Sequence, residues 1–305
     1  MYKEIVILTK SKKYGKYCVA GIDLKTNKWI RLVKNDNEHD GALGDIDMIC
    51  DDYTIADVQD VVKVPIAKEI PNGCQTENNL IDRGKWQKLG KMSLKKIVFN
   101  TIPIDEPYVF CDNQCCLDAN SIQNIDYSLQ IAKAENLKIY YKVKEDGSIK
   151  VKADFLNNSN TYSMISVTDT KICKKIETQK EIFINKAYII VSLPKNAYEG
   201  FYYKFIAQIF PVDIFYDEIQ KFDFFKTYTI KDIIENFELP IFIKRGTWSN
   251  DFVYILEEVR DGKTIGKDYN YGKKPLNTGR NYDLQASGFC LCKNDPNEES
   301  DFLPW

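Results

Sequence analysis

Histidine is almost missing: His39 is the single one among 305 residues. That scarcity excludes paired-histidine metal motifs and His-rich phosphodiesterase sites. It leaves Ser–His–Asp chemistry only if His39 itself is the base. His39 stands in the polar stretch from Asn35 to Asp40, where a solvated surface side chain is the simpler reading. Net charge is nearly absent as well. Lys+Arg 42 against Asp+Glu 44 leaves −2, so the chain as a whole has no bias toward a charged polymer. No apolar run approaches the ~20 residues that span a bilayer; Ala187–Leu193 has only the length of a strand. No positively charged leader followed by an apolar stretch opens the sequence, so the expectation is a cytoplasmic protein with reduced thiols and no membrane contact. Neither G-x4-GK[ST] nor G-x-G-x-x-G occurs, which removes nucleotide binding through those two loops.

What is present is ordinary globular material, 44% hydrophobic and 28% charged, long enough for two modules and a short third. The nine cysteines are odd in number. Cys111, Cys115 and Cys116 form C-x3-CC, and Cys290 and Cys292 form C-x-C. Together they could supply four thiolates to zinc, yet neither half has knuckle spacing. The other reading is a set of small buried hydrophobes, and no metal or other cofactor is implied.

The first third reads as short strands. Lys3–Lys10, Lys16–Asp23 and Lys28–Val33 are rich in β-branched residues and separated by turn residues, which predicts a meander. Residues 34–60 hold nine acidic residues against one lysine and read as a solvated insertion. Asp60–Ala67 returns as a strand. Ser93–Phe110 reads as part helix and part strand. Asp126 is a candidate N-cap for a helix over Tyr127–Glu135. A second strand series follows at Leu137–Val143, Ile149–Phe155, Tyr162–Thr168, Lys186–Leu193 and Gly200–Pro211. In the tail, Thr229 caps a predicted helix Ile230–Phe237, with strands at Ile241–Lys244 and Phe252–Val259 and a loop over Asp261–Asp283.

Several segments carry a resemblance. They are EIVILTKS (Glu4–Ser11), CVAGID (Cys18–Asp23), WIRLV (Trp29–Val33), ENNLID (Glu77–Asp82) with Trp86, SVTDT (Ser166–Thr170) and SLP-x4-EGFYYKFIA (Ser192–Ala207). In this order and spacing the chain resembles the dual OB-domain family of bacterial and phage proteins over roughly residues 1–211. The resemblance implies two consecutive small five-stranded barrels, contact with nucleic acid or nucleotides, and a setting in bacterial or phage conflict such as antiphage defence. It carries over no catalytic residues. The expected fold is therefore mainly β: a first OB-like domain over 1–125 with the acidic insertion 34–60, a second over 126–211, and an α+β C-terminal segment over 212–305.

OB surfaces bind single strands with a cationic groove for phosphates and aromatic faces for bases. Residues 1–33 carry eight Lys+Arg and two Asp+Glu, opposite in sign to the insertion that follows. The insertion could shield that groove or mimic a nucleic acid. Trp29 and Arg31 lie two apart on one strand and share a face. On a binding face Trp29 stacks and Arg31 meets phosphate or base; otherwise Trp29 packs in the barrel core. Tyr202 and Tyr203 must point to opposite faces, so one of them, with Lys204, is a candidate for stacking. Glu77 and Asp82 could hold a divalent ion, or cap turns and pair with Arg83. The tail interleaves Lys244, Arg245, Trp248, Lys267, Tyr269, Tyr271, Lys273, Lys274, Arg280 and Tyr282, which is either a ligand stretch or a lysine-rich mobile loop.

The leading expectation is a binding protein for single-stranded nucleic acid or a nucleotide, not an enzyme. The alternatives are a carboxylate and Mg-dependent nuclease or nucleotide hydrolase, and a protein-interaction module docking through insertion 34–60. No D-x-D or E-x-K run on matched strands marks a magnesium site.

Overall fold

The structure, a computed structural model, describes residues 1–36, 38–92, 107–143, 147, 149–211, 229–236, 241–245, 252–270, 282–286 and 289–291. The chain divides into two compact units, one holding 1–58, 62–88 and 101–213, the other 59–61, 89–100 and 214–305.

The first unit opens with the predicted meander: β1 (Tyr2–Lys13), β2 (Lys16–Asp23) and β3 (Lys28–Val33). The β1–β2 loop is two residues, Tyr14 and Gly15, both at positive φ (48° and 77°), which matches the twist of a hairpin. Gly21 is needed one strand on, because a Cβ there would stand 1.9 Å from the Val6 carbonyl oxygen. After β4 (Asp60–Glu69) and β5 (Asn78–Ile81), the strand order is β1-β2-β3-β5-β4, and β4 pairs back with β1. The β3–β5 pair is parallel, with Arg31 opposite Asn78. Alternation sends Ile5, Ile7, Val19, Ile30, Leu32, Val62, Val64 and Ile66 into the barrel.

The second barrel repeats this plan. β6 (Gln87–Met92) and the short β7 (Cys116–Leu117) precede it. Its strands are β8 (Leu129–Val143), β9 (Ile149–Asn157), β10 (Asn160–Val167), β11 (Glu181–Ser192) and, after β12 (Tyr202–Tyr203), β13 (Phe205–Pro211). They close as β10-β13-β11-β8-β9, with β10 and β13 parallel. In both barrels the third strand lies parallel to the fifth, the arrangement of a five-stranded Greek-key OB barrel. One end of the second barrel is filled by helix α1 (Thr170–Gln179), whose Ile172 and Ile176 sit one turn apart in the core. Asp169 fixes this helix: one carboxylate oxygen accepts the Lys171 and Ile172 N–H groups at 2.9 and 3.1 Å. The other oxygen accepts Gln208 Nε2 and the Ile209 N–H at 2.7 and 2.9 Å. Val109, Phe110, Leu117 and Ile125 also belong to this core, so by packing the second barrel begins ahead of residue 126.

Four expectations change. Tyr127–Glu135 is not a helix: from Leu129 it is strand, paired with β11 from Leu129 to Tyr140, and that tertiary ladder overrides its local helix propensity. A helix forms at Thr170–Gln179, where the sequence pattern predicts none. The 261–283 loop contains a strand, Lys263–Asn270. The acidic stretch 34–60 is not a solvated appendage. Its Leu43, Met48, Cys50 and Ala56 are core residues of the first barrel. Asp36, Asp40, Asp45 and Asp47 pair with Lys16, Lys13, Lys10 and Lys34 at 2.8, 2.5, 3.9 and 2.8 Å. Three of these pairs join the two opposite charge blocks and the fourth, Lys34–Asp47, lies within the insertion, which withdraws those carboxylates from the docking role expected of it.

The second unit has helix α2 (Ile230–Asn236), β14 (Ile241–Arg245), β15 (Phe252–Arg260), β16 (Lys263–Asn270) and β17 (Phe289–Leu291). Residues Gly90–Met92 of β6 add to β15. Thr229 Oγ1 accepts the Asp232 N–H at 3.0 Å while the Asp232 carboxylate accepts the Thr229 N–H at 3.1 Å, a reciprocal cap on α2. Of the middle segment 93–110, residues 93–106 lie outside the described residues.

Between the barrels runs a buried polar seam. Arg31 Nε donates to Glu77 Oε1 at 3.2 Å and its Nη2 to Ser128 Oγ at 2.7 Å, while Ser128 Oγ also donates to that Glu77 oxygen. Gln75 Nε2 donates to the Leu193 carbonyl at 3.1 Å. The Arg31 and Glu77 side chains are 7% and 5% exposed. Removing one partner of such a pair strands a buried charge, so Arg31→Leu is expected to cost about 3–5 kcal/mol. Equilibrium urea unfolding measures this, and a loss below about 1 kcal/mol would show that the seam does not hold the barrels.

Candidate nucleic-acid interface

The residues singled out from sequence scatter when placed. Trp29 is half-buried on the outer face of β3, since its neighbours Ile30 and Leu32 point into the core. Arg31 shares that outer face but is 6% exposed and committed to Glu77 and Ser128, which corrects its reading as a phosphate contact. Lys204 is also corrected, being 1% exposed. Its Nζ donates to the Asp112 carbonyl at 2.8 Å and lies 5.4 Å from the centre of the Tyr162 ring. Tyr162 Oη donates to the same carbonyl at 3.0 Å and accepts the Val109 N–H at 2.9 Å. Lys204 thus pins segment 107–118 across the barrel and is not available to a ligand. Glu77 is buried and Asp82 Oδ1 accepts the Arg83 N–H at 2.8 Å, so the two carboxylates take structural parts.

In the tail, Lys244, Arg245, Lys267 and Tyr269 have backbone in β14 and β16, with side chains outside the description. Trp248, Tyr271, Lys273, Lys274 and Arg280 lie outside the described residues. Tyr282 packs edge-on against Tyr254 and Phe289, with ring centres 5.1 and 4.9 Å away. It is a packing residue of its own unit.

Tyr203 does join a surface. The connection from β11 to β13 contains a tight turn, Tyr198–Phe201, closed by reciprocal backbone hydrogen bonds of 2.9 and 3.0 Å. Its central residues, Glu199 and Gly200, have φ of 51° and 82°. Directly paired residues present their side chains to one face, so Tyr198 and Phe201 point together, and Tyr203, two residues on, follows. Ring centres of Tyr198 and Phe201 lie 6.3 and 6.5 Å from that of Tyr203. Tyr198 is 66% exposed and Phe201 43%, while Tyr202 turns the other way onto the barrel core. Three aromatic rings thus stand on one outward face.

Three residues before that turn, Lys195 reaches a polar hollow of about 340 Å³. Its walls come from the end of β3 and residues 34–36, 40 and 41 after it, from the end of β4, from the β4–β5 connection and from β5 itself. Lys34, Lys68, Gln75 and Asn78 line it. Lys195 lies 3.5 Å from Asp40. Asp36 is held well below the usual carboxylate range, chiefly by the hydrogen bond from Lys16 and then by the His39 N–H. His39 is therefore part of this charged rim, its Nδ1 3.1 Å from Asp36 Oδ2. From sequence, the clue to both features was polar or aromatic character in short turns: the ENNLID segment and the EGF turn.

Among the described residues, no group of three or more His, Cys, Asp or Glu side chains is placed to hold a metal ion. No disulfide joins the seven cysteines whose side chains are described. No helix among the described residues is long and apolar enough to cross a membrane.

Two barrels of matching strand order, joined by a buried seam, define a tandem OB-fold binding module. The family model of the dual OB-containing domain matches residues 3–209, and the chain belongs to that family. No curated protein and no solved structure matches it.

Lys204 gives a pH signature. Burial drives its pKa down from 10.5 to about 8, against the opposing pull of Asp112. Between these two values the unfolded chain binds more protons than the folded one, so this group makes stability rise with pH across that window. Relative to Lys204→Met, the parent is expected to gain up to about 3 kcal/mol between pH 7.5 and 10.5. Parallel urea midpoints that do not diverge over that range would refute the assignment.

Proposed function

We propose that the tandem barrels bind single-stranded nucleic acid, with bases stacking on Tyr198, Phe201 and Tyr203 and the backbone passing Lys195. The observation that carries this reading is the exposed three-ring face on the connection between the fourth and fifth strands of the second barrel. OB folds use that loop for oligonucleotides, and exposed rings on one face have no packing role to explain them. The placement of Asp36, Asp40, Asp45 and Asp47 on the barrel's own lysines supports it over the protein-docking alternative. The buried Glu77 and turn-capping Asp82 weigh against a carboxylate-based nuclease. The setting in bacterial or phage conflict rests on family likeness alone.

Anisotropy titration of labelled DNA and RNA oligonucleotides at several salt concentrations tests this. Replacing Tyr198 or Phe201 with Ala is expected to cost ~1–3 kcal/mol of binding with the salt slope unchanged. Lys195→Ala is expected to leave stacking intact and flatten the slope by about 0.7. A parent chain that binds no oligonucleotide at low salt defeats the proposal.

The basic and aromatic stretch from Lys244 to Arg280 is proposed as a second binding segment. Joint replacement of Arg245, Lys267, Lys273 and Arg280 is expected to lower the slope by about 0.7 for each phosphate that is no longer neutralised. An unchanged slope removes the tail from the binding surface.

A further inference from the structure

The segment that Lys204 pins carries two adjacent thiols unlike the cysteines of the interior. Cys50, Cys74 and Cys173 each direct Sγ to a backbone carbonyl, of Met48, Pro194 and Val167, at 3.8, 3.9 and 3.5 Å. Burial pushes the Cys74 thiol up, and that of Cys173 up to about 11, so both stay protonated packing groups. Cys115 and Cys116 are half-buried at the surface, and their sulfurs lie 3.9 Å apart, one thiol donating to the other. Burial, and then Cys115, push the Cys116 thiol up, while the Lys204 ammonium draws it down. A thiolate on this pair therefore has a cation nearby and a second thiol within reach.

The pair is also tied to the ring face. Cys116 stands directly opposite Tyr203 in the β7–β12 ladder, so the two side chains share a face. Burial, and then Cys116, raise the Tyr203 hydroxyl. On the other side of the Cys115–Cys116 peptide, the Cys115 carbonyl accepts the Lys204 N–H at 2.9 Å. Strands β7 and β12 are two residues each and form a two-stranded sheet of their own, so among the described residues no third strand holds this ladder in place.

We propose that Cys115 and Cys116 are a thiol–disulfide exchange site, closed by small disulfides of the glutathione class, and that closure unseats β12 and disperses the ring face. One cysteine, as thiolate, attacks a sulfur of the small disulfide. That S–S bond breaks and a first small thiolate leaves, so the protein holds a mixed disulfide. The second cysteine gives its proton to water and attacks the first cysteine's sulfur, expelling the second small thiolate. The two cysteines lose two electrons and two protons, and the small disulfide takes up as many to leave as two thiols. Closure brings the sulfurs from 3.9 Å to about 2.05 Å. Adjacent Cα atoms are about 3.8 Å apart, short of the roughly 4.4–6.8 Å usual for a disulfide, so the ring forms by turning the peptide between the cysteines. That turn takes the Cys115 carbonyl off the Lys204 N–H and Cys116 off Tyr203. The strain also leaves the bond easy to reduce, as a reversible site requires.

The test equilibrates the full chain in graded mixtures of reduced and oxidised glutathione, quenches with iodoacetamide and maps the peptides by mass spectrometry. Cys115 and Cys116 are expected to lose two hydrogens together and escape alkylation. Cys111→Ser is expected to behave as the parent, and Cys115→Ser or Cys116→Ser to retain a bound glutathione instead. Limited chymotrypsin digestion reads the unseating. Cleavage after Phe201 or Tyr203 is expected to quicken about tenfold in the closed form, the effect of one or two lost hydrogen bonds on the open population, and to slow again on reduction. Both thiols alkylated at the most oxidising ratio, or a disulfide formed to Cys111, would overturn the exchange site. Closure without faster cleavage would overturn its link to the ring face. Neither readout uses nucleic acid, so a chain that closes and unseats β12 yet binds no oligonucleotide upholds this site and removes the stacking proposal alone.

Discussion

The Arg31–Glu77 pair, with Ser128 closing it from the second barrel, is the contact on which the rest of the first unit depends. Its two charges come from β3 and from the residue that leads into the parallel β5, and its third member is 97 residues from Arg31 in sequence. A buried pair of this kind adds little net stability compared with apolar packing, because both ions leave water. What it supplies is geometry. Either charge alone in that seam is unfavourable, so the barrels are held in the one arrangement that satisfies both. Arg31 stands opposite Asn78 in the β3–β5 ladder, so the contact that joins the barrels also fixes the start of β5.

The barrels reach one strand order with different means of filling their ends. The second uses a capped helix, in which all four hydrogen bonds to the Asp169 carboxylate come from groups that must be in place for α1 and β13 to coexist. Desolvation pushes that carboxyl upward in pKa, while the N–H groups of Ile172, Ile209 and Lys171 draw it back. The first barrel uses the stretch 34–60, where a short 3-10 turn (Asp45–Met48) brings Met48 inward and acidic side chains bind the barrel's lysines. Burial and charge pairing share the work there, as burial and capping do in the second barrel.

This division explains what was legible in the sequence. Strands whose partners lie next in the chain were readable, because alternation and a two-residue turn are local signals; β1 to β3 show this. Features set by distant partners were not. Leu129–Glu135 has good helix formers and yields to pairing with β11, some fifty residues on. The helix after β10 was available from Asp169 and the Ile172–Ile176 spacing, yet its shortness and lysines hid it in a polar stretch. Arg31 and Lys204 looked like ligand contacts because strand alternation says which face a side chain takes and not whether another element covers that face. Tyr203 was readable as a facing residue, but its companions Tyr198 and Phe201 depend on a turn with two positive φ values.

Rings on an exposed turn accept any base, since every base has a π face, so a surface built on Tyr198, Phe201 and Tyr203 would draw its affinity from contact area and show little sequence preference. The order of that surface comes from the turn beneath it. Glu199 and Gly200 at positive φ hold Tyr198 against Phe201 through two backbone hydrogen bonds. Tyr202, on the opposite side, anchors the same segment to the barrel core. The rings are therefore presented without first having to be gathered, which lowers the entropy cost of any stacking partner.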